Sequence, residues 1–98
     1  MNGLYELSVN SPMGVIKGNL NLAVNGNNIT GYIEINGKRN SFNNGVVTGN
    51  NKFSLSGTIK ALFKTINYNV EGEVINNTIN LYAKTNMGNF SLSGKRIN

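Results

Sequence analysis

The feature that most constrains this chain is an alternation of apolar and polar residues that recurs between turn signals along its whole length. Successive side chains of a β-strand point to opposite faces, so this pattern marks strands with one buried face. Residues 4–10 place Tyr5, Leu7 and Val9 together, 15–24 place Ile16, Gly18, Leu20, Leu22 and Val24, and 28–36 place Ile29, Gly31, Ile33 and Ile35. A short strand near 39–43 carries Phe42 inward. Residues 52–60, 64–74, 78–85 and 89–96 continue the habit, the last with Phe90, Leu92 and Gly94 inward. No stretch shows a helical period of useful length.

Turn signals separate these runs. Asn25-Gly26, Asn36-Gly37 and Asn44-Gly45 read as hairpin turns, because Asn and Gly enter left-handed backbone conformations at little cost. Short connections imply neighbouring antiparallel strands. The chain also repeats itself: Tyr5-x-Leu7 matches Phe53-x-Leu55, and Ile29-x-x-Tyr32 matches Ile79-x-x-Tyr82. The repeat divides one 98-residue domain into halves at about 4–50 and 52–98. A four-stranded half alone has two exposed edges, and closing the pair removes them. The expected fold is therefore all-β: an eight-stranded antiparallel up-and-down barrel of two similar four-stranded halves. A two-sheet β-sandwich is the alternative. Gly18, Gly31, Gly57, Gly72 and Gly94 fall in the inward phase, which permits tight coiling and leaves space in the lumen.

Charges inside the strands fall in the outward phase, Arg96 excepted. An apolar interior with a polar exterior reverses the pattern of a membrane barrel, and no apolar run approaches the roughly 18 residues of a membrane helix, so no membrane insertion is expected. The first ten residues lack the basic start and apolar run of a signal peptide, and there is no cysteine; both favour a soluble, cytoplasmic protein.

The missing residue types remove most chemistry. The chain has no His, Cys, Asp or Trp, and its acids are Glu6, Glu34, Glu71 and Glu73. Catalytic triads, thiol nucleophiles and His-based metal sites cannot be assembled. Glu71 and Glu73 share one strand face, but a solvated face leaves neither tuned for acid–base work. The expectation is a non-enzyme with no metal and no cofactor. The net charge of +5 comes more from scarce acids than from abundant bases. Only Lys38-Arg39 and Lys95-Arg96 adjoin, which argues against a nucleic-acid footprint.

Tracing the meander sorts the connections to two ends. One carries 25–28, 44–51 and 75–77 and is almost all Asn and Gly; the other presents Met13, Leu62 and Met87, with Lys38 and Arg39 beside them. Apolar residues at turn tips suit a ligand mouth or a partner contact, or else Met13 and Met87 fold inward as a plug. Tyr68 falls in the inward phase as a polar handle in the lumen. Tyr32 and Tyr82 are equivalent in the repeat and point outward, where they stack bases, serve self-association or act simply as strand formers.

Ser11-Pro12-Met13-Gly14, the stretch Asn44-Gly45-x-Val47-x-Gly49-Asn50 and the closing Ser93-Gly94-Lys95-Arg96 resemble a family of small bacterial β domains without an established activity, in which Ser/Thr-Pro-Met-Gly turns recur. The resemblance covers the whole chain, although the turns at Lys60-Ala61-Leu62-Phe63 and Thr85-Asn86-Met87-Gly88 lack the proline. It implies a barrel similar in outline to lipocalins and avidins, which hold small apolar ligands. Two expectations follow. The first is a binding module for a small apolar or amphipathic ligand, entering at the Met13, Leu62 and Met87 end. The second is a structural, protein-interaction or homodimerisation module with a filled core.

Overall fold

Among the described residues eight strands follow one another with no helix between them: β1 (Gly3–Ser11), β2 (Gly14–Asn25), β3 (Asn28–Ile35), β4 (Lys38–Gly49), β5 (Lys52–Lys60), β6 (Thr65–Ile75), β7 (Thr78–Thr85) and β8 (Gly88–Arg96). The computed structural model describes residues 1–11, 14–35, 37–60 and 65–98, with the side chains of 9–11 and 14–16 left aside. Each strand pairs antiparallel with the next, and β8 returns to β1, giving a closed up-and-down barrel rather than a sandwich.

The alternation sets the inside. Tyr5, Leu20, Leu22, Ile29, Phe53 and Ile79 are fully enclosed, and Leu7, Ile33, Phe42, Leu55, Tyr68, Val70, Val74, Leu81 and Ala83 complete the core around them. The inward glycines do not leave gaps. Gly57 faces Tyr68, Gly72 faces Phe53, Gly31 faces Phe42, and Gly94 faces Leu7, each pair directly opposite across a ladder. The large partner lies over the glycine: Phe53 Cε1 is 2.6 Å from the position of a Gly72 Cβ. Space lost by one strand is filled by its neighbour, which lets strands coil tightly around a packed lumen.

One strand differs from expectation. β4 does not stop near residue 43; it runs to Gly49, and Asn44-Gly45 is not a turn. Between Ile29↔Gly45 and Gly31↔Phe42 the partner strand advances two residues while β4 advances three, so a β-bulge sits at Asn43–Asn44. The extra residue inverts the inward phase, from Phe42 to Gly45. A second irregularity at Thr48 precedes the true turn at Asn50–Asn51, where Asn51 takes a φ of 59°.

Turn-to-hairpin bonds occur at both ends of the barrel: from the β7–β8 turn, Asn86 N donates to Asn67 O at 3.3 Å and Asn86 Nδ2 to Thr65 O at 3.0 Å. At the end carrying the β2–β3, β4–β5 and β6–β7 turns, backbone bonds leap from each turn to the next hairpin. Val47 N donates to Asn27 O at 2.9 Å, Val74 N to Asn51 O at 2.9 Å, and Arg96 N to Asn77 O at 2.8 Å. Leu4 N donates to Asn98 O at 3.0 Å, and Ile97 N donates to Leu4 O at 2.7 Å. Met1 packs on the core here and accepts the Tyr5 hydroxyl at 2.8 Å. This end is tied shut around its whole circumference.

Candidate functional site

The opposite end, with the β1–β2, β3–β4, β5–β6 and β7–β8 turns, is split. The β1–β8 ladder runs from Tyr5↔Arg96 to Ser8↔Ser93 and goes no farther among the described residues. Both strands continue on their other partners, β1 to Ser11↔Gly14 and β8 to Thr85↔Gly88. They therefore part company. Across the barrel, β4 and β5 pair among the described residues from Gly49↔Lys52 to Val46↔Ser54 and no farther. Just beyond, the Asn44 side chain spans the gap: its Nδ2 donates to Ser56 Oγ at 3.1 Å, and its Oδ1 accepts Ser56 N at 3.3 Å. The bulge places that side chain across the seam, and after it β4 and β5 separate as well. The two slits lie four strands apart, on opposite walls.

These slits uncover lumen-side residues. Phe90 pairs with Ala83, which is buried, so both project to the lumen side; Phe90 is nevertheless 45% exposed because β1 has left it. Ile35, Ile59, Ile66 and Leu92, in the inward phase of the strand halves that lead to this end, are half-buried. Lys38 stands opposite Ile35 at the rim and is exposed. A recess of about 460 Å³ lies beside the end of the β1–β8 ladder, lined by Ser8, Asn80, Leu81, Ser91, Leu92 and Ser93. Full burial of a Phe side chain stabilises by roughly 1.5–3 kcal/mol, so leaving Phe90 nearly half open forgoes about 1 kcal/mol that a covering molecule recovers.

Met87 sits at the tip of the β7–β8 turn, 48% exposed, and does not fold inward as a plug. Thr85 holds the turn: its Oγ1 accepts Met87 N at 3.0 Å and donates to Gly88 O at 2.6 Å. Met13 and Leu62 lie outside the described residues. Tyr68 is in the lumen as its phase requires; burial raises its hydroxyl above the usual 10.0, so it is a neutral phenol at physiological pH. Tyr5, deeper still, is raised by burial and partly lowered by the Arg96 charge.

Arg39 belongs to the outer wall. Its Nε reaches Glu34 Oε2 at 3.1 Å, and its guanidinium lies 3.9 Å from the centroid of the Tyr32 ring. Tyr82 is 41% exposed, with Lys84 Nζ 5.9 Å from its ring centroid. Tyr32 on β3 and Tyr82 on β7 stand four strands apart in either direction around the barrel, so they face opposite ways. One flat partner surface meets only one of them. Glu71 and Glu73 are on the outer wall, and Glu73 Oε2 is 3.8 Å from Lys52 Nζ.

Phe90 escaped notice in the sequence as a rim residue because its alternation is faultless; its exposure comes from a ladder ending elsewhere. Comparison with protein-family models, curated proteins and solved structures found no match, so the resemblance to small bacterial β domains rests on its turn motifs, and the barrel outline is what stands.

Proposed function

We propose that this barrel is a non-enzymatic binding module that takes a small apolar or amphipathic molecule into its split end. The observation that carries the reading is Phe90: a lumen-side aromatic left nearly half open where the β1–β8 ladder ends at Ser8↔Ser93. Ile35, Ile59, Ile66 and Leu92 supply an apolar collar, and the Tyr68 hydroxyl lies below it as a hydrogen-bonding group. Binding sites of this kind are concave and mostly apolar, with few polar groups. The lack of His, Cys and Asp supports a role without catalysis.

The packed middle of the lumen favours a second reading, an interaction module that holds no ligand. The filled glycine seats at Gly57, Gly72 and Gly31 support it. Titration with a neutral lipophilic dye, beside native mass spectrometry of protein purified from cells, separates the two. The binding reading expects dye uptake that Met87→Ser weakens without lowering the unfolding midpoint, and that Phe90→Ser weakens at a cost of only about 1 kcal/mol in stability. No uptake and a clean apo mass would sink it in favour of the filled module.

A further inference from the structure

The charge of this barrel is distributed along its axis. On the split half of each strand lie Lys17, Lys38, Arg39, Lys60 and Lys84, against Glu34 alone among the described acids, and Glu34 is already paired with Arg39. The tied half balances Lys52, Lys95 and Arg96 with Glu6, Glu71 and Glu73. The excess positive charge of the described residues thus sits around the opening.

Its arrangement narrows the partner. The cations come from β2, β4, β5 and β7, so they encircle the barrel rather than converge on one point. A single anionic headgroup in the lumen would meet Lys38 and little else. A flat anionic surface lying across the opening would meet the whole ring at once. The same end carries Met87 and Phe90, two large apolar side chains about half exposed. An apolar tip, Met87, backed by Phe90 at the mouth and set within a basic ring, suits the interface of an anionic bilayer, where hydrocarbon lies just beneath the headgroup charge. A nucleic acid would use the charge and leave Met87 without a partner.

We propose that the split end docks end-on against an anionic membrane surface, with Met87 entering the headgroup layer, Phe90 just behind it on the lumen side of the mouth, and Lys17, Lys38, Lys60 and Lys84 resting on the headgroups. The inference rests on the reading of the open end as a binding mouth. Its ligand class becomes a lipid-derived amphiphile, taken up from or delivered to the bilayer through the opening.

The test is co-sedimentation of the full chain with vesicles of neutral phosphatidylcholine, with and without about one-third phosphatidylglycerol. Binding is expected to the mixed vesicles only, and to fade as salt rises toward about 0.5 M, where screening shortens to a few ångströms. Lys17, Lys60 and Lys84 are exposed. Replacing all three by Gln is expected to weaken binding on the order of 100-fold, while leaving uptake of a neutral lipophilic dye unchanged. Phe90→Ser is expected to weaken both. Equal binding to neutral and mixed vesicles, or none to either, overturns the docking, as does a Phe90→Ser variant that still binds vesicles fully. Vesicle binding without dye uptake keeps the docking and removes the ligand mouth.

Discussion

Tyr68 lies across Gly57, its cross-strand partner, with Cζ 2.7 Å from where a Gly57 Cβ would stand. The pair closes the lumen just below the split end. Gly57→Ala is expected to tilt the ring and destabilise the barrel by about 1–3 kcal/mol, the usual range for overpacking. Urea unfolding of the variant measures it. If the stability is unchanged, the ring is not seated as described.

Gly94 is less forgiving. A Cβ there meets the backbone carbonyl of Glu6, and 2.9 Å away the Leu7 Cδ2. Backbone cannot swing aside as a side chain can. Gly94→Ala should therefore cost more than Gly57→Ala and loosen the four-pair β1–β8 ladder. Hydrogen exchange should then show faster exchange at Glu6 and Ser8 than at Leu20.

The neutral state of Tyr68 sets an alkaline limit. Burial raises its folded pKa above the usual 10.0, so the unfolded chain releases this proton first. The contribution to stability is therefore complete below about pH 10. It is lost as pH rises through the folded value. The urea midpoint should fall above that pH. Tyr68→Phe should flatten part of the fall and remove a late-ionising component from the phenolate absorbance titration.

Asn44 acts as a side-chain rung between β4 and β5. Asn44→Ala removes both bonds to Ser56 and should cost about 1 kcal/mol. The Ser56 amide, which donates to Asn44 Oδ1, should lose exchange protection more than its neighbours.

The Arg39–Glu34 pair should do little for stability. Both partners reach solvent, so Glu34→Gln is expected to change unfolding free energy by less than about 1 kcal/mol, with the difference vanishing at high salt. A larger, salt-independent loss would mean the pair is shielded in a way its exposure does not indicate.

The strands and their inward faces were legible because alternation depends only on the local chain: Tyr5, Leu20, Ile29 and Ile79 are enclosed where their phase puts them. β4 was misread for a physical reason. A bulge and a turn both interrupt alternation, and Asn44-Gly45 suits either. Gly45 is required by crowding, since its Cβ would come 2.8 Å from that of Ile29. The split end was not legible at all. Register across β1–β8 is set by contacts between the two ends of the sequence, and no turn fixes where that ladder stops. Likewise a glycine in the inward phase indicates missing volume, but not whether Tyr68 or Phe53 fills it from the next strand.

The ring of turn-to-hairpin bonds through Asn27, Asn51 and Asn77 has a mechanical consequence. It joins the strands at one end, while among the described residues the β1–β8 and β4–β5 ladders stop short of the other, as the jaws of a spring clip are joined at its bow. Spreading the jaws bends strands and strains the Asn44 rung, but breaks no ladder. For the proposed binding module, guest size would then be governed by the stiffness of the clip rather than by the volume it encloses at rest.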